Sequence, residues 1–156
     1  MATSRETASQ PAHGRAIRQN GLVDALVQAA FATMAVLNKV GADNDLSLTQ
    51  LRVLGILRDR RLRMAALADY LGLEKSTMTG LVDRAEKRGL LQRAPSASDG
   101  RAVEVFLSPG GADLAERLYA QAERSLAPMT GGLGPAGQRR LQSLLEQVIG
   151  SGSREL

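Results

Sequence analysis

The sequence has no cysteine and no tryptophan, a single histidine, and only two tyrosines and two phenylalanines among its 156 residues. Without cysteine there are no disulfides, no thiolate zinc sites and no thiol redox switch. One histidine, His13, leaves no His-rich metal centre and only a badly placed partner for Ser-His-Asp chemistry. No nucleophile–base pair, paired-carboxylate motif or phosphate-cradling loop is visible, and Gly131-Gly132-Leu133-Gly134 follows a helical pattern rather than a strand. The chain therefore reads as non-enzymatic, with no catalytic residue, metal or cofactor assigned. The first ten residues lack an apolar signal core, and no run of about 18 apolar residues stands out. The expectation is a cytoplasmic protein that neither is secreted nor spans a membrane.

The charge present is unevenly placed. The chain carries a net charge of +4. Residues 58–101 hold ten Lys/Arg (Arg58, Arg60, Arg61, Arg63, Lys75, Arg84, Lys87, Arg88, Arg93, Arg101) against six acids (Asp59, Asp69, Glu74, Asp83, Glu86, Asp99). The remainder holds ten of each sign, so the whole excess lies in this one segment. A confined positive field suits phosphate binding, whereas an ordinary solvated face explains charge but not its confinement.

The elements follow from periodicity and punctuation. Residues 1–16 read as a flexible tail, and 151–156 as a second. Ile17 to Val40 is helical, but Ala30, Ala35 and Val36 widen its apolar stripe beyond one face. Such a helix is either a central core helix or one that serves two sets of neighbours, its own domain and a second subunit. Ser47 with Gln50 forms a capping box that opens a second helix carrying Leu48, Leu51, Leu54 and Leu57 inward. Two short helices follow, Met64 to Leu71 and Glu74 to Arg88, separated by Gly72-Leu73. The second stops at Gly89-Leu90 in a Schellman pattern. Leu90–Arg93 and Ala102–Leu107 are β-capable, with a turn-rich tip between them. Ser108-Pro109 caps a long helix through Leu126, and Pro135 opens the last one. The fold class is mostly α, ordered α-α-α-α-β-β-α-α.

Leu67-Ala68, Leu71-Gly72-Leu73, Ser76-Thr77 and Leu81-Val82 together make a helix-turn-helix pattern: a small residue where the helices approach, a glycine at the turn, and apolar spacing that fills the space between. The second helix of the pair then presents Lys75, Ser76, Thr79, Gly80, Asp83, Arg84, Lys87 and Arg88 outward. Its polar start suits a major groove and its basic end suits phosphates. Directly after it, Asp99-Gly100-Arg101 lies at the hairpin tip. An arginine on a thin loop fits a narrow minor groove, and Asp99 is expected to orient its guanidinium. An Asp-Gly pair by itself only makes the turn.

These pieces, in this order, resemble the MarR family of bacterial regulators across about residues 20–149. The most specific stretches are Leu48-Thr49-Gln50-Leu51-Arg52-Val53-Leu54, Leu67 to Leu73, Glu74 to Arg84, Glu86 to Leu90, Ser98 to Val103 and Leu107 to Gly111. The resemblance implies a winged helix-turn-helix head over 47–107. It implies a dimerisation region from 17–46 and 108–150, so that a homodimer addresses the half-sites of a pseudo-palindrome in double-stranded DNA. It further implies recognition through Ser76, Thr77, Thr79 and Arg84, with Arg101 in the minor groove. With Lys75, Lys87, Arg88 and Asp99, these are the candidate DNA-binding residues. Two positions depart from the pattern: Gly80 removes a side chain many relatives carry, and Met64 is a weak helix start. The resemblance also implies a small, frequently aromatic or phenolic effector that releases DNA from a repressor. Its pocket would lie between head and dimer region, with Phe31, Met34, Leu51 and Leu54 as lining and Arg52 as carboxylate partner. The alternative is a winged-helix protein-interaction module that binds no DNA, against which the basic segment speaks.

Overall fold

The computed structural model describes residues 21–152. The expected tail over 1–16, the first residues of the helix expected from Ile17, and positions 153–156 lie outside the described residues. The elements are α1 (Gly21–Ala42), α2 (Leu48–Leu57), β1 (Leu62–Arg63), α3 (Met64–Leu71), α4 (Lys75–Lys87), β2 (Leu91–Pro95), β3 (Val103–Leu107), α5 (Pro109–Thr130), a 3-10 turn (Gly131–Leu133) and α6 (Gly134–Gly152).

Local chemistry sets the boundaries. At Ser47 both halves of the capping box form: the Gln50 N–H donates to Ser47 Oγ at 3.2 Å, and the Ser47 N–H donates to Gln50 Oε1 at 2.9 Å. Gly72 and Gly89 both adopt left-handed φ, 64° and 72°. Each ends its helix with the paired backbone bonds of a Schellman stop: Leu73 N–H to Ala68 O and Gly72 N–H to Asp69 O, then Leu90 N–H to Ala85 O and Gly89 N–H to Glu86 O. The start of α3 is as weak as Met64 suggested, since Arg63 at its N-cap makes no side-chain capping bond. Ser108 caps α5 by accepting the Gly111 N–H at 2.9 Å, with Pro109 in the first turn.

One element was not read from the sequence. β1 is only two residues long, too short for alternation to register, and it becomes a strand by pairing with β3. The sheet is antiparallel in the order β1-β3-β2, with Leu62 opposite Val105 and Leu91 opposite Leu107. Val105 is fully buried, whereas Val103 is 42% exposed, because β2 and β3 leave the core as they run out toward the hairpin tip.

The core lies under this sheet. Leu57, Leu67, Ala68, Met78, Leu81, Val82, Ala85, Leu91 and Val105 are buried together. Small Ala68 sits where α3 meets α4, as its place in the motif requires. Leu71 and Leu73 are only half-buried at the edge of the same core. Two glycines seat the long helices. A Cβ at Gly41 would stand 2.7 Å from the Leu46 carbonyl oxygen, and one at Gly111 would stand 1.9 Å from that of Leu90. Asn44 Nδ2 then donates to Val40 O and Gln121 Oε1, tying the α1–α2 turn to α5.

The terminal helices leave much apolar surface open. α1 packs on α2 and α5 only through its C-terminal part, and Leu22 and Phe31 are 82% and 69% exposed. Leu144, Leu145, Val148 and Ile149 of α6 are exposed as well. By length and composition alone α1 matches a membrane-crossing helix, a test that the core helix of a soluble protein also passes. Gln28, Thr33 and Asn38 interrupt its apolar run.

Candidate nucleic-acid interface

Helix α4 packs Met78, Leu81, Val82 and Ala85 inward, so helical spacing turns its remaining positions out. Lys75, Ser76, Thr77, Arg84, Lys87 and Arg88 are exposed and Thr79 is half-buried. The expected outward set is thus on one element, with unequal freedom. Thr79 Oγ1 donates to Lys75 O at 2.9 Å, and Arg88 Nη1 donates to the Asp45 carbonyl at 2.9 Å. Arg88 therefore ties α4 to the α1–α2 turn.

Asp83 is also committed. Arg93 on β2 pairs with the Asp83 carboxylate and lies 3.6 Å from Glu86, so one half-buried guanidinium clamps two acids of α4 to the hairpin. Arg93 Nε is buried with no hydrogen-bond partner among the described residues, its nearest acid being that Glu86 oxygen. Neither Asp83 nor Arg93 carries a sequence signal for this clamp, because it is formed between elements.

The hairpin tip is held from inside. Buried Ser96 donates to Glu104 at 2.8 Å and is bonded to Ser98 at 3.1 Å. Arg63 Nη2 reaches across from β1 to Ser98 Oγ at 3.1 Å. Asp99 does not orient the Arg101 guanidinium as expected. Its Oδ1 accepts the Arg101 backbone N–H at 3.1 Å, which shapes the turn and leaves the exposed side chain directed by the loop alone. Sequence reasoning missed Arg63 as a support for the tip and Arg61 as a partner of Phe106, over whose ring it lies at 3.9 Å. The run Arg58-Asp59-Arg60-Arg61-Leu62-Arg63 was the available signal. Within it Arg60 donates to Asp59 at 2.8 Å, and that bond holds the Asp59 carboxyl below the usual range.

The expected cleft lies where α1, α2 and α5 diverge. Its volume is about 560 Å³ and its wall is mostly apolar. Met34, Leu51, Arg52 and Leu54 line it, but Phe31 does not, because it lies farther along α1 on the open face. Among the lining residues that were not anticipated are Tyr119 and Arg58. Tyr119 of α5 has Arg58 over its ring at 3.9 Å, and Arg58 Nε lies 3.7 Å from Glu116. Arg52 sits at 6.0 Å from the Tyr70 ring, the outer limit of such a contact. Among the described residues, no group of three or more His, Asp or Glu is placed to hold a metal.

Residues 44–102, which span the second helix through the hairpin tip, match the model of the MarR family. The chain is 30% identical to the HTH-type transcriptional repressor IacR of Pseudomonas putida over 106 residues, 67% of this chain and 64% of that one. It is 36% identical to an HTH-type transcriptional regulator, YfiV, of Bacillus subtilis over 76 residues, 48% of each chain. Its head, residues 44–102, is of the MarR family. The chain spans about half the length of YfiV and just under two thirds of IacR, so the match centres on the head. Solved MarR-family structures extend the likeness in fold to the terminal helices. NadR in complex with 4-hydroxyphenylacetate superposes with a TM-score of 0.69 at 23% identity, over 95% of this chain and 97% of that one. A mutant MarR from E. coli complexed with operator DNA gives 0.65 at 24% identity, over 81% and 92%. Within the MarR-family fold the hairpin β2–β3 is the wing and α4 the recognition helix.

Proposed function

We propose that this chain is a sequence-specific, double-stranded DNA-binding transcription regulator that works as a homodimer. The observation that carries the reading is the pairing of two exposed basic features on one head: α4, with Lys75, Ser76, Thr77, Thr79, Arg84 and Lys87, and a wing tipped by Arg101. Both fall in residues 58–101, whose net charge equals that of the whole chain. A helix of this kind fits a major groove and a thin arginine loop the adjacent minor groove. Asp99 acts by shaping the wing turn, and Arg88 by holding α4 against the α1–α2 turn. The head is residues 47–107, and 21–46 with 108–150 form the dimerisation region, whose open apolar faces a second copy covers. A chromosomal partner places the protein in the cytoplasm. The relative named a repressor and the MarR solved on operator DNA support this reading.

The regulator acts as a repressor released by a small aromatic or phenolic acid in the α1–α2–α5 cleft. The cleft offers an apolar wall from Met34, Leu51 and Leu54, with Arg52 and Arg58 as cations at its edge. NadR, solved with 4-hydroxyphenylacetate, supports this class of ligand.

Mobility-shift titration at two salt concentrations tests the first part. Binding is expected to weaken as salt rises, with log K falling by about 0.9 per phosphate contact. Arg101→Ala is expected to weaken binding about tenfold or more. Binding with no salt dependence, or full affinity in both Arg101→Ala and Arg84→Ala, would contradict the assignment. A protein that retains no duplex at either salt concentration would favour a protein-interaction module instead.

A further inference from the structure

Gly80 stands in the middle of the recognition helix, at a position where glycine is a weaker helix former than alanine. Its backbone does not require glycine, because the positive-φ glycines among the described residues are Gly72, Gly89 and Gly134. Packing does not require it either. A Cβ built at Gly80 meets no backbone and no core side chain, and the single atom within 4 Å is Arg84 Nη1, at 3.4 Å. The space left by Gly80 is used by one group, the guanidinium of Arg84.

The geometry follows from helix direction. A helical side chain leans toward the N-terminus and covers the turn before its own Cα. Arg84 is four residues after Gly80 and therefore lies back along the exposed row toward Ser76. Its planar fork is brought one turn, about 5.4 Å, closer to the N-terminal half of α4, the part that fits into a groove. Left at its own turn, the same charge would lie beside Lys87 at the basic end, where phosphates are met.

We infer that Gly80 is a specificity-determining position: by carrying no side chain beyond Cα it lets the Arg84 fork occupy the reading position of residue 80 and recognise a guanine edge there. The inference rests on the proposed DNA binding. Arg84 donates two parallel N–H groups to guanine O6 and N7, a contact that lysine cannot reproduce with its single ammonium. Gly80 is a positioning residue and touches no base.

The test is selection from a randomised duplex library at fixed salt, using the full chain and four variants: Gly80→Ala, Gly80→Leu, Arg84→Lys and Arg84→Ala. The unmodified protein is expected to prefer one G·C pair per half-site by about 10-fold over other pairs there. Gly80→Ala is expected to keep that preference, since 3.4 Å is an ordinary contact for a methyl group, and to raise the melting temperature. Gly80→Leu fills the space and is expected to lose the preference at that base pair while the rest of the site is read unchanged. Both Arg84→Lys and Arg84→Ala are expected to lose the preference; in shift titrations at two salt concentrations Arg84→Lys keeps the salt slope, and Arg84→Ala lowers it by no more than about one phosphate contact. Leucine is a strong helix former, so the Gly80→Leu fold holds, and thermal melting checks it. The inference is overturned if the Gly80→Leu or Arg84→Lys site matches the unmodified one at every position. If the unmodified protein retains no duplex at all, the DNA-binding reading falls first and this one with it. If it binds with no preference for guanine within reach of α4, only this inference falls.

Discussion

Two residues show how small groups carry large consequences here. Gly111 in the first turn of α5 leaves no room for even a methyl group, since a Cβ would stand 1.9 Å from Leu90 O. The obstacle is backbone that is itself bonded to Ser108, whose N–H donates to Leu90 O at 3.1 Å. Gly111→Ala should therefore destabilise the fold by about 3 kcal/mol or more, above the usual range for overpacking. A denaturant melt reads this directly, and a loss below about 1 kcal/mol would mean the α5 joint can yield. Arg93 is the second. Its hydrogen bond to Asp83 and its ion pair with Glu86 link the wing strand to the recognition helix, and it is only partly screened by water. Arg93→Ala should cost about 1–2 kcal/mol and leave Asp83 and Glu86 as unopposed acids beside the groove-facing surface. Duplex affinity should fall more than stability does. Adding Asp83→Ala should restore part of the affinity, and a double-mutant cycle in shift assays checks it.

At the scale of elements, capping and turn chemistry were readable because they are local. Ser47 and Gln50, Gly72, Gly89, and Ser108 with Pro109 stand where the chain starts and stops its helices. Ser47→Ala should cost about 1 kcal/mol, the usual worth of such a cap, and lower the melting temperature by a few degrees without changing which duplex is bound. A change in the bound sequence would show that the α1–α2 turn reaches the interface. The strands were less legible. β1 is a strand only because β3 lies beside it, and its two residues hold no pattern of their own. Asp99 was read as a partner of the Arg101 side chain because the two are neighbours in sequence. The turn brings the backbone N–H to the carboxylate first.

For the whole molecule, the open question was what the apolar terminal helices face. Leu22, Phe31, Val148 and Ile149 are exposed, and clustered apolar side chains on a surface mark an interaction site. If a second copy covers them, Val148→Asp with Ile149→Asp should give a monomer by sedimentation and reduce affinity for a two-half-site duplex by about 100-fold, because coupling of the heads is lost. A doubly substituted protein that remains a dimer would place the interface elsewhere. The candidate cleft belongs to this scale too. Met34, Leu51, Arg52 and Leu54 come from two helices, and Leu118 and Tyr119 from a third more than sixty positions on. Arg58 was countable as charge in the sequence, but its place over Tyr119 was not.

The sequence by itself determined the helices and their ends, the helix-turn-helix spacing, and the confinement of net charge to residues 58–101, because each depends on residues close together along the chain. The tertiary structure decided which of those charges are free. Arg93 is spent on Asp83 and Glu86, Arg88 on the Asp45 carbonyl and Arg63 on Ser98, while Arg84 and Arg101 remain exposed. It also placed the Arg84 guanidinium beside Gly80, where a Cβ would stand 3.4 Å from Nη1. The physical reason is the same in each case. A charge is assigned by the partner that reaches it first in space, and sequence distance does not measure that.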